Sequence, residues 1–367
     1  MKSDFPVFPV GTVFKKFDGL LDKNLLAPRI NSVVIDFPVR LNAMSIDASA
    51  VTKKGSTSFP AGEVMISIQK YVIVTTEYIG EDGSLTISND TRRKVLVKHA
   101  YQLMCMVLGK EPSLHINVDD STVMKHTGFG SSGAIIAAVC ASINELYGNP
   151  IRDHDLISYI ANNYGEEVTD EDEDKLKLVQ CIGGSVASGF TQGGISIITG
   201  NATPIMSISY ESNVVIGVPN DYEPKTANEL MELEESFLDN FQSHGEKYSH
   251  EIAYNLLHKG MPQLRKGDIS ELNKIIFAHR FKMGSIYNCS FVYPRVNSIA
   301  AGIQHLYENN RCQMLAMSSV GPAFFALVNN ERDELFCIDV FRRQQLNTST
   351  TSICNNTYTV KKNNLRK

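Results

Sequence analysis

The chain has 367 residues, 43% of them hydrophobic and 20% charged, with a formal net charge of −5 at neutral pH. That is a globular composition with apolar material for two ordinary domains or one large one. It excludes the basic global surface of a nucleic-acid binder, and no run reaches the roughly 18 to 20 apolar residues that span a bilayer.

The first residues, "MKSDFPVFPVGTVFKKFDG", lack the continuous apolar stretch of a secretory signal, so a cytoplasmic protein is expected. Strand character then dominates: "RINSVVIDFPVR" (29–40), "EVMISIQKY" (63–71) and "VIVTTEY" (72–78) are rich in Val, Ile, Thr and Tyr. Residues 91–109 switch to helical spacing, with Val95, Leu96, Ala100, Leu103, Met104 and Val107 on one face and Gly109 as the stop. "SLHINV" (113–118) alternates like a half-buried strand. A glycine loop and an apolar helix follow, then a helix over 153–165.

The acidic run "GEEVTDEDEDK" (165–175) brings seven carboxylates together and reads as a solvated loop, with metal binding as the sharper alternative. Residues 181–200 are glycine-rich and end in a strand-like "ISII". Two strands are expected in "PIMSISYESNVVIGVP", helices over 225–243, 246–259, 268–283 and 296–309, and short strands at 313–319, 323–328 and 335–341. The basic end "VKKNNLRK" reads as a solvated, frayed tail. Strands and helices do not alternate regularly, which argues α+β with a boundary near 205. Seven scattered cysteines, without C-x-x-C, read as buried free thiols.

The stretch "HTGFGSSGAIIAAVCASINELYG" (126–148) carries the chemistry. Glycines allow backbone N–H groups to converge on one point. The helix start adds unpaired N–H groups and a positive dipole end, so the natural ligand is a phosphate. Gly128, Gly130, Ser131, Ser132 and Gly133 form this seat, and the hydroxyls of Ser131 and Ser132 are placed for phosphate oxygens or for a magnesium ion. No lysine follows the glycines, which excludes a Walker loop. His244, His250 and His258, spaced by six and eight, build no metal-ligand face.

"HTGFGSSGA" is similar to the second motif of the GHMP kinase superfamily, P-x-x-x-G-L-G-S-S-A-A. "FPVRLN" (37–42) falls where that family has its first motif, and "MSSVGPAFFAL" (317–327) where it has its third. Kinases of the family usually read G-A-G-G-G there. The S-S-V-G-P of Ser318, Ser319, Gly321 and Pro322 resembles instead the β-ribofuranosylaminobenzene 5'-phosphate synthase branch. That branch has R-L-H where this chain has Arg40-Leu41-Asn42, an aspartate a few residues on (here Asp47), and P-x-H-x-G before the glycine loop. This chain keeps His126 but has Met124 for the proline. Residues 261–280 also resemble a helix of that branch.

The resemblance implies a GHMP-kinase-like two-domain α+β fold. Its N-terminal domain (1–205, with 1–28 an extension) would be ribosomal-S5-like with a left-handed β-α-β crossover, and its C-terminal domain (206–367) ferredoxin-like. It implies a transferase that joins phosphoribosyl pyrophosphate (PRPP) to a small aromatic or heteroaromatic carboxylate at carbon. Carbon dioxide and pyrophosphate leave, as in C-nucleoside biosynthesis. Mg2+ would be the cofactor and the protein a homodimer without nucleic-acid or membrane partners. The alternative is an ATP-dependent small-molecule kinase. Such kinases often carry a basic aspartate near a position that counts back to 183–186 here, and no acid stands there.

By family position, Gly193, Gly194, Ser319 and Gly321 would line the phosphate pocket, and Ser185 and Ser188 would touch the 5'-phosphate. Arg40 would grip a phosphate or the acceptor carboxylate as a planar fork. Asp47 would orient the acceptor or bind magnesium, and His126 would donate to phosphate. Each of the last three also has a plain structural reading, as strand-end arginine, turn aspartate and structural histidine.

Overall fold

A computed structural model describes residues 6–21, 26–52, 61–169, 172, 174–179 and 181–365. The chain begins with β1 (Val7–Pro9), then runs through two long strands, β2 (Ile30–Ser45) and β3 (Glu63–Gly80), the short β4 (Leu85–Ile87), α1 (Lys94–Leu108), β5 (Ser113–Asp119) and α2 (Ser131–Leu146). β2 alternates buried and open residues up to Asp36 and is buried on both faces from Phe37 to Met44. The segments 63–71 and 72–78 are one 18-residue strand. Every residue of α2 is buried, as expected of a helix that is apolar all round.

α3 (Asp153–Asn162), β6 (Gly165–Glu167), β7 (Lys175–Leu178), a single turn α4 (Gly184–Ala187), β8 (Ile195–Thr199) and β9 (Thr203–Ile208) complete this half. β1 pairs with β7 and β7 with β6, all antiparallel. The acidic run is therefore not simply a solvated loop: Glu166 and Glu167 lie on β6, and Glu167 is buried. Asp170, Glu171 and Glu173 of that run lie outside the described residues, as do residues 1–5 and 22–25 of the extension.

The second half runs β10 (Asn213–Pro219), α5 (Ala227–Ser236), α6 (Leu238–Asn255), α7 (Met261–Leu264), α8 (Ser270–Phe277), α9 (Val296–Ile303), α10 (His305–Glu308), β11 (Met314–Met317), β12 (Phe324–Val328), α11 (Glu331–Arg343), β13 (Leu346–Ser352) and β14 (Thr359–Leu365). Its sheet has the order β11-β12-β10-β13, all antiparallel. With helices between β10 and β11 and between β12 and β13, this is the β-α-β-β-α-β arrangement of a ferredoxin-like domain.

Two expectations fail here. "LFCIDVF" is helix, not strand: Asn330 caps α11 by accepting from Asp333 N–H, acids fill the first turn, and Arg342 and Arg343 end it. Cys337, Val340 and Phe341 then make one buried face at helical spacing. The C-terminal basic segment is not a frayed tail up to Leu365, because β14 pairs antiparallel with β2; Arg366 and Lys367 lie outside the described residues. The first sheet accordingly runs β14-β2-β3-β5-β4, with β8 on β3 and β9 on β8.

Candidate active site

The glycine loop leads into α2 at the junction of the two halves. Gly128 has φ +103°, and a Cβ there would stand 2.5 Å from the Ser318 carbonyl oxygen, so no other residue fits without moving backbone. Gly130 occupies the N-cap of α2 in the left-handed region, and no side chain caps the helix. A Cβ on Gly133 would meet the Ser185 hydroxyl at 2.2 Å. The helix start therefore presents amides that no side chain caps, the arrangement that favours an anion.

Arg93, which the sequence reading passed over, lies behind the serines. It is left-handed at the N-cap of α1 and its side chain is 4% exposed. Nη1 donates to Ser131 Oγ at 2.9 Å, and Nη2 donates to Ser132 Oγ. Nε donates to Glu167 at 2.6 Å, and Glu166 lies 3.5 Å away. Burial disfavours the guanidinium charge, but Glu167 and Glu166 outweigh it and raise the pKa above its ordinary value. With Arg93 donating to both serine oxygens, each hydroxyl hydrogen is free to point forward to a ligand.

A second buried network sits on β2 and β3. Glu63 accepts from Asn42 Nδ2 and, at 2.6 Å, from Gly184 N–H; Arg40 Nε lies 3.8 Å from it. Arg40 Nη1 donates to the Gly128 carbonyl at 2.8 Å. A β-bulge between Pro38 and Arg40 sets this direction. Arg280, in the helical turn just after α8, donates from Nε to the Ala43 carbonyl at 2.7 Å and from Nη2 toward Asn42. Burial, with Arg40 adding, pulls its pKa down to about 10, so it stays charged at neutral pH. Among the described residues no carboxylate pairs with it.

The turn after β11 closes the loop: Ser318 Oγ donates to the Gly128 carbonyl at 2.6 Å and accepts from Asn42 N–H at 2.9 Å. These parts enclose a cavity of about 300 Å³.

Of the residues picked out in the sequence, Arg40, His126, Gly128, Gly130, Ser131, Ser132, Ser185, Ser319 and Gly321 line this cavity. Gly133 packs behind it on Ser185. Four lie elsewhere. Asp47 accepts from the N–H and hydroxyl of Ser49 in a local turn. Ser188 is fully buried and donates to the Pro38 carbonyl. Gly193 packs on the backbone of Ile208, and Gly194 on Ile353. Glu63, Arg280, His244 and His279 line the cavity too without a local sequence signal, and so does Glu166, from the acidic run for which metal binding is the sharper alternative. The cavity thiol Cys181 is pushed up to about 12 by burial and carries no thiolate at neutral pH.

Residues 95–174, which include the glycine loop, match the family model of the GHMP kinases N terminal domain. No curated protein sequence matches the chain significantly. Solved structures do match in shape. Homoserine kinase from Cytophaga hutchinsonii is 12% identical, with 90% of this chain and 97% of that one aligned at a TM-score of 0.59. Mevalonate diphosphate decarboxylase from Staphylococcus aureus is 15% identical over 91% and 98%, with a TM-score of 0.62. L. major mevalonate kinase in complex with R-mevalonate is 12% identical over 90% and 98%, at 0.58. Identities this low speak for architecture alone: the chain has the two-domain α+β fold of the GHMP kinases.

Proposed function

We propose that this protein is a transferase that seats the diphosphate of PRPP on the Gly128–Gly133 loop and couples the ribosyl carbon to a small aromatic or heteroaromatic carboxylate, releasing carbon dioxide and pyrophosphate. The observation that carries the reading is one cavity with two features suited to anions. In one, Arg93 backs the serine hydroxyls beneath uncapped helix amides. In the other, Arg280 is buried and forms no ion pair with a carboxylate among the described residues. A reaction between two anionic substrates needs both. The S-S-V-G-P turn, whose Ser318 holds the loop closed, is the feature shared with the synthase branch.

In this reading the amides and serine hydroxyls take up charge that grows on the departing pyrophosphate. Arg280 and Arg40 hold the acceptor acid, and Glu63 balances their charge close to the carbon that turns positive. The residues fit a magnesium ion: two serine hydroxyls and Glu166 line the same cavity, and Glu166 Oε2 is buried without a hydrogen bond among the described residues, with Arg93 3.5 Å away. Among the described residues no cluster of three metal-binding side chains occurs. That suits an ion held by one carboxylate plus substrate phosphates. When bound, such an ion supplies leaving-group charge neutralisation.

One observation favours a second reading, an ATP-dependent kinase. Glu63 brings a carboxylate from β3 to Gly184, in the segment where the family kinases often carry their basic aspartate. Thermal stability with magnesium plus PRPP, and separately with magnesium plus ATP, tests the choice, because a ligand bound only by the native state raises it. A rise with PRPP and pyrophosphate release on adding an aromatic acid is expected; a rise with ATP alone refutes the synthase reading.

A further inference from the structure

Beyond Arg280 the inner wall of the cavity holds polar atoms with nothing to bond. His244, on α6, and His279, just after α8, stand edge to face with ring centres 5.2 Å apart. Among the described residues, Nε2 of His244, Nδ1 of His279 and Oγ of Ser285 find no hydrogen-bond partner. The three residues are 8%, 2% and 7% exposed, and all line the cavity. Buried polar groups are almost always partnered, so three together on one wall mark a place a ligand completes.

The chemistry of that ligand follows from the protonation states. Burial pulls His244 down to about 4 and His279 well below its ordinary value, and the charge of Arg280 acts the same way on both. Both imidazoles are therefore neutral at pH 7. His244 also bonds to the backbone of Met283 and gains basicity from it, as a ring N–H donating to a carbonyl does. Since Nε2 is the atom without a bond, Nδ1 carries the proton and Nε2 offers a lone pair. Leu238, Phe241 and Cys289 supply apolar surface around it.

We propose that this wall is the specificity subsite for the acceptor. It selects an acid whose neutral end carries hydrogen-bonding groups, with an N–H or O–H aimed at His244 Nε2, over a plain aromatic acid of the same size. The inference rests on Arg280 being the partner of the acceptor's carboxylate. A site built to hydrogen-bond a polar group discriminates strongly against an analogue lacking it, because its own buried groups are then left unpaired.

Calorimetric titration of the full chain with benzoate, 4-hydroxybenzoate and pyrazole-3-carboxylate, with magnesium pyrophosphate present, tests this. At least one donor-bearing acid should bind about tenfold tighter than benzoate. His244→Leu should bring that ratio within about threefold while benzoate is held as before. His244→Gln, whose amide sets a polar atom where Nε2 stood, should keep the preference. Should His244→Leu fail to fold, Ser285→Ala replaces it with the same expectation in weaker form. Equal binding of the three acids by the natural protein, or a preference that survives His244→Leu or its stand-in Ser285→Ala, overturns the subsite, as does binding of pyrophosphate without any of the acids. Absence of pyrophosphate binding refutes the phosphate seat instead.

Discussion

Replacing Arg93 with Met separates the stability of the phosphate seat from its binding. The guanidinium and Glu167 are each 4% exposed as side chains and 2.6 Å apart, with Glu166 at 3.5 Å. Removing one partner of a buried pair leaves an uncompensated charge and costs about 3–5 kcal/mol. Unfolding entropy near 2.1 cal/mol/K per residue over 367 residues is about 0.8 kcal/mol/K, so the melting temperature should fall by about 4–7 °C. Adding Glu167→Gln removes the closer and more buried of the two orphaned carboxylates and should return part of that loss. Lys125, the other partner of Glu167 at 3.5 Å, is 26% exposed and loses little. Binding should behave differently. Ser131 and Ser132 lose their donor in both variants, so magnesium pyrophosphate should bind roughly ten- to a hundredfold more weakly in both. Differential scanning calorimetry and titration calorimetry on the single and double variants read the two quantities. A double variant that regains binding along with stability would falsify the claim that Arg93 aims the serine hydroxyls.

Gly128→Ala should cost about 1–3 kcal/mol, since φ is +103° and the new Cβ meets the Ser318 carbonyl at 2.5 Å, and chemical denaturation will show whether the turn tolerates it. Glu63→Gln should leave turnover within about tenfold if the carboxylate only balances Arg40 and Arg280. A loss of about 10²–10⁴ at unchanged pyrophosphate affinity would make Glu63 a proton acceptor and the protein a kinase. His99, fully buried and pulled down to about 4 by burial, predicts a pH dependence. Its folded pKa lies below its unfolded value near 6.5, so below that pH the unfolded chain binds a proton the fold refuses. Its contribution is full above pH 6.5 and falls by about 3 kcal/mol toward pH 4. His99→Gln should remove about one proton from the slope of stability against pH, and an unchanged slope would refute the assignment.

The glycine loop was legible because its information is local: six residues encode two left-handed glycines and a helix start. Its support was not. Arg93 sits in "TRRK", ahead of the apolar spacing that marks α1; its backbone is left-handed and its side chain is buried, neither of which that spacing encodes. Glu166 and Glu167 were hidden in a longer acidic run because the hairpin of β6 and β7 leaves no strong period over three and four residues. The carboxylate that meets Gly184 comes from Glu63, 121 residues away in sequence, which no count along the chain can find. His244, His279 and Arg280 meet between helices, so spacing along any one helix says nothing of them. "LFCIDVF" misled through its β-branched and aromatic content, while the cap at Asn330 and the acid-first, arginine-last charge order pointed to helix.

The same long-range logic changes the meaning of the first residues. Taken alone they are an extension, yet β1 is the outer strand of the small sheet that presents Glu166 and Glu167. Val10 N–H donates to the Asp174 carbonyl, and Leu178 N–H to that of Pro6. A Cβ on Gly165, at the start of β6, would strike the Phe8 ring at 2.5 Å, so strand and ring fit only with glycine there. His99 Nδ1 accepts from Gly11 N–H at 3.0 Å, which fixes the proton on Nε2, and Nε2 donates to the Asn163 carbonyl at 2.7 Å. Asn163 Oδ1 in turn accepts from the N–H groups of Phe14 and Lys15. From β1 through β7 and β6 to Glu167, Arg93 and the two serines, each step is a hydrogen bond or a buried ion pair. A glycine turn by itself gives amides but no fixed hydroxyls. What fixes them is a guanidinium, and what fixes the guanidinium is a pair of carboxylates anchored by a segment more than a hundred residues upstream of the loop it serves.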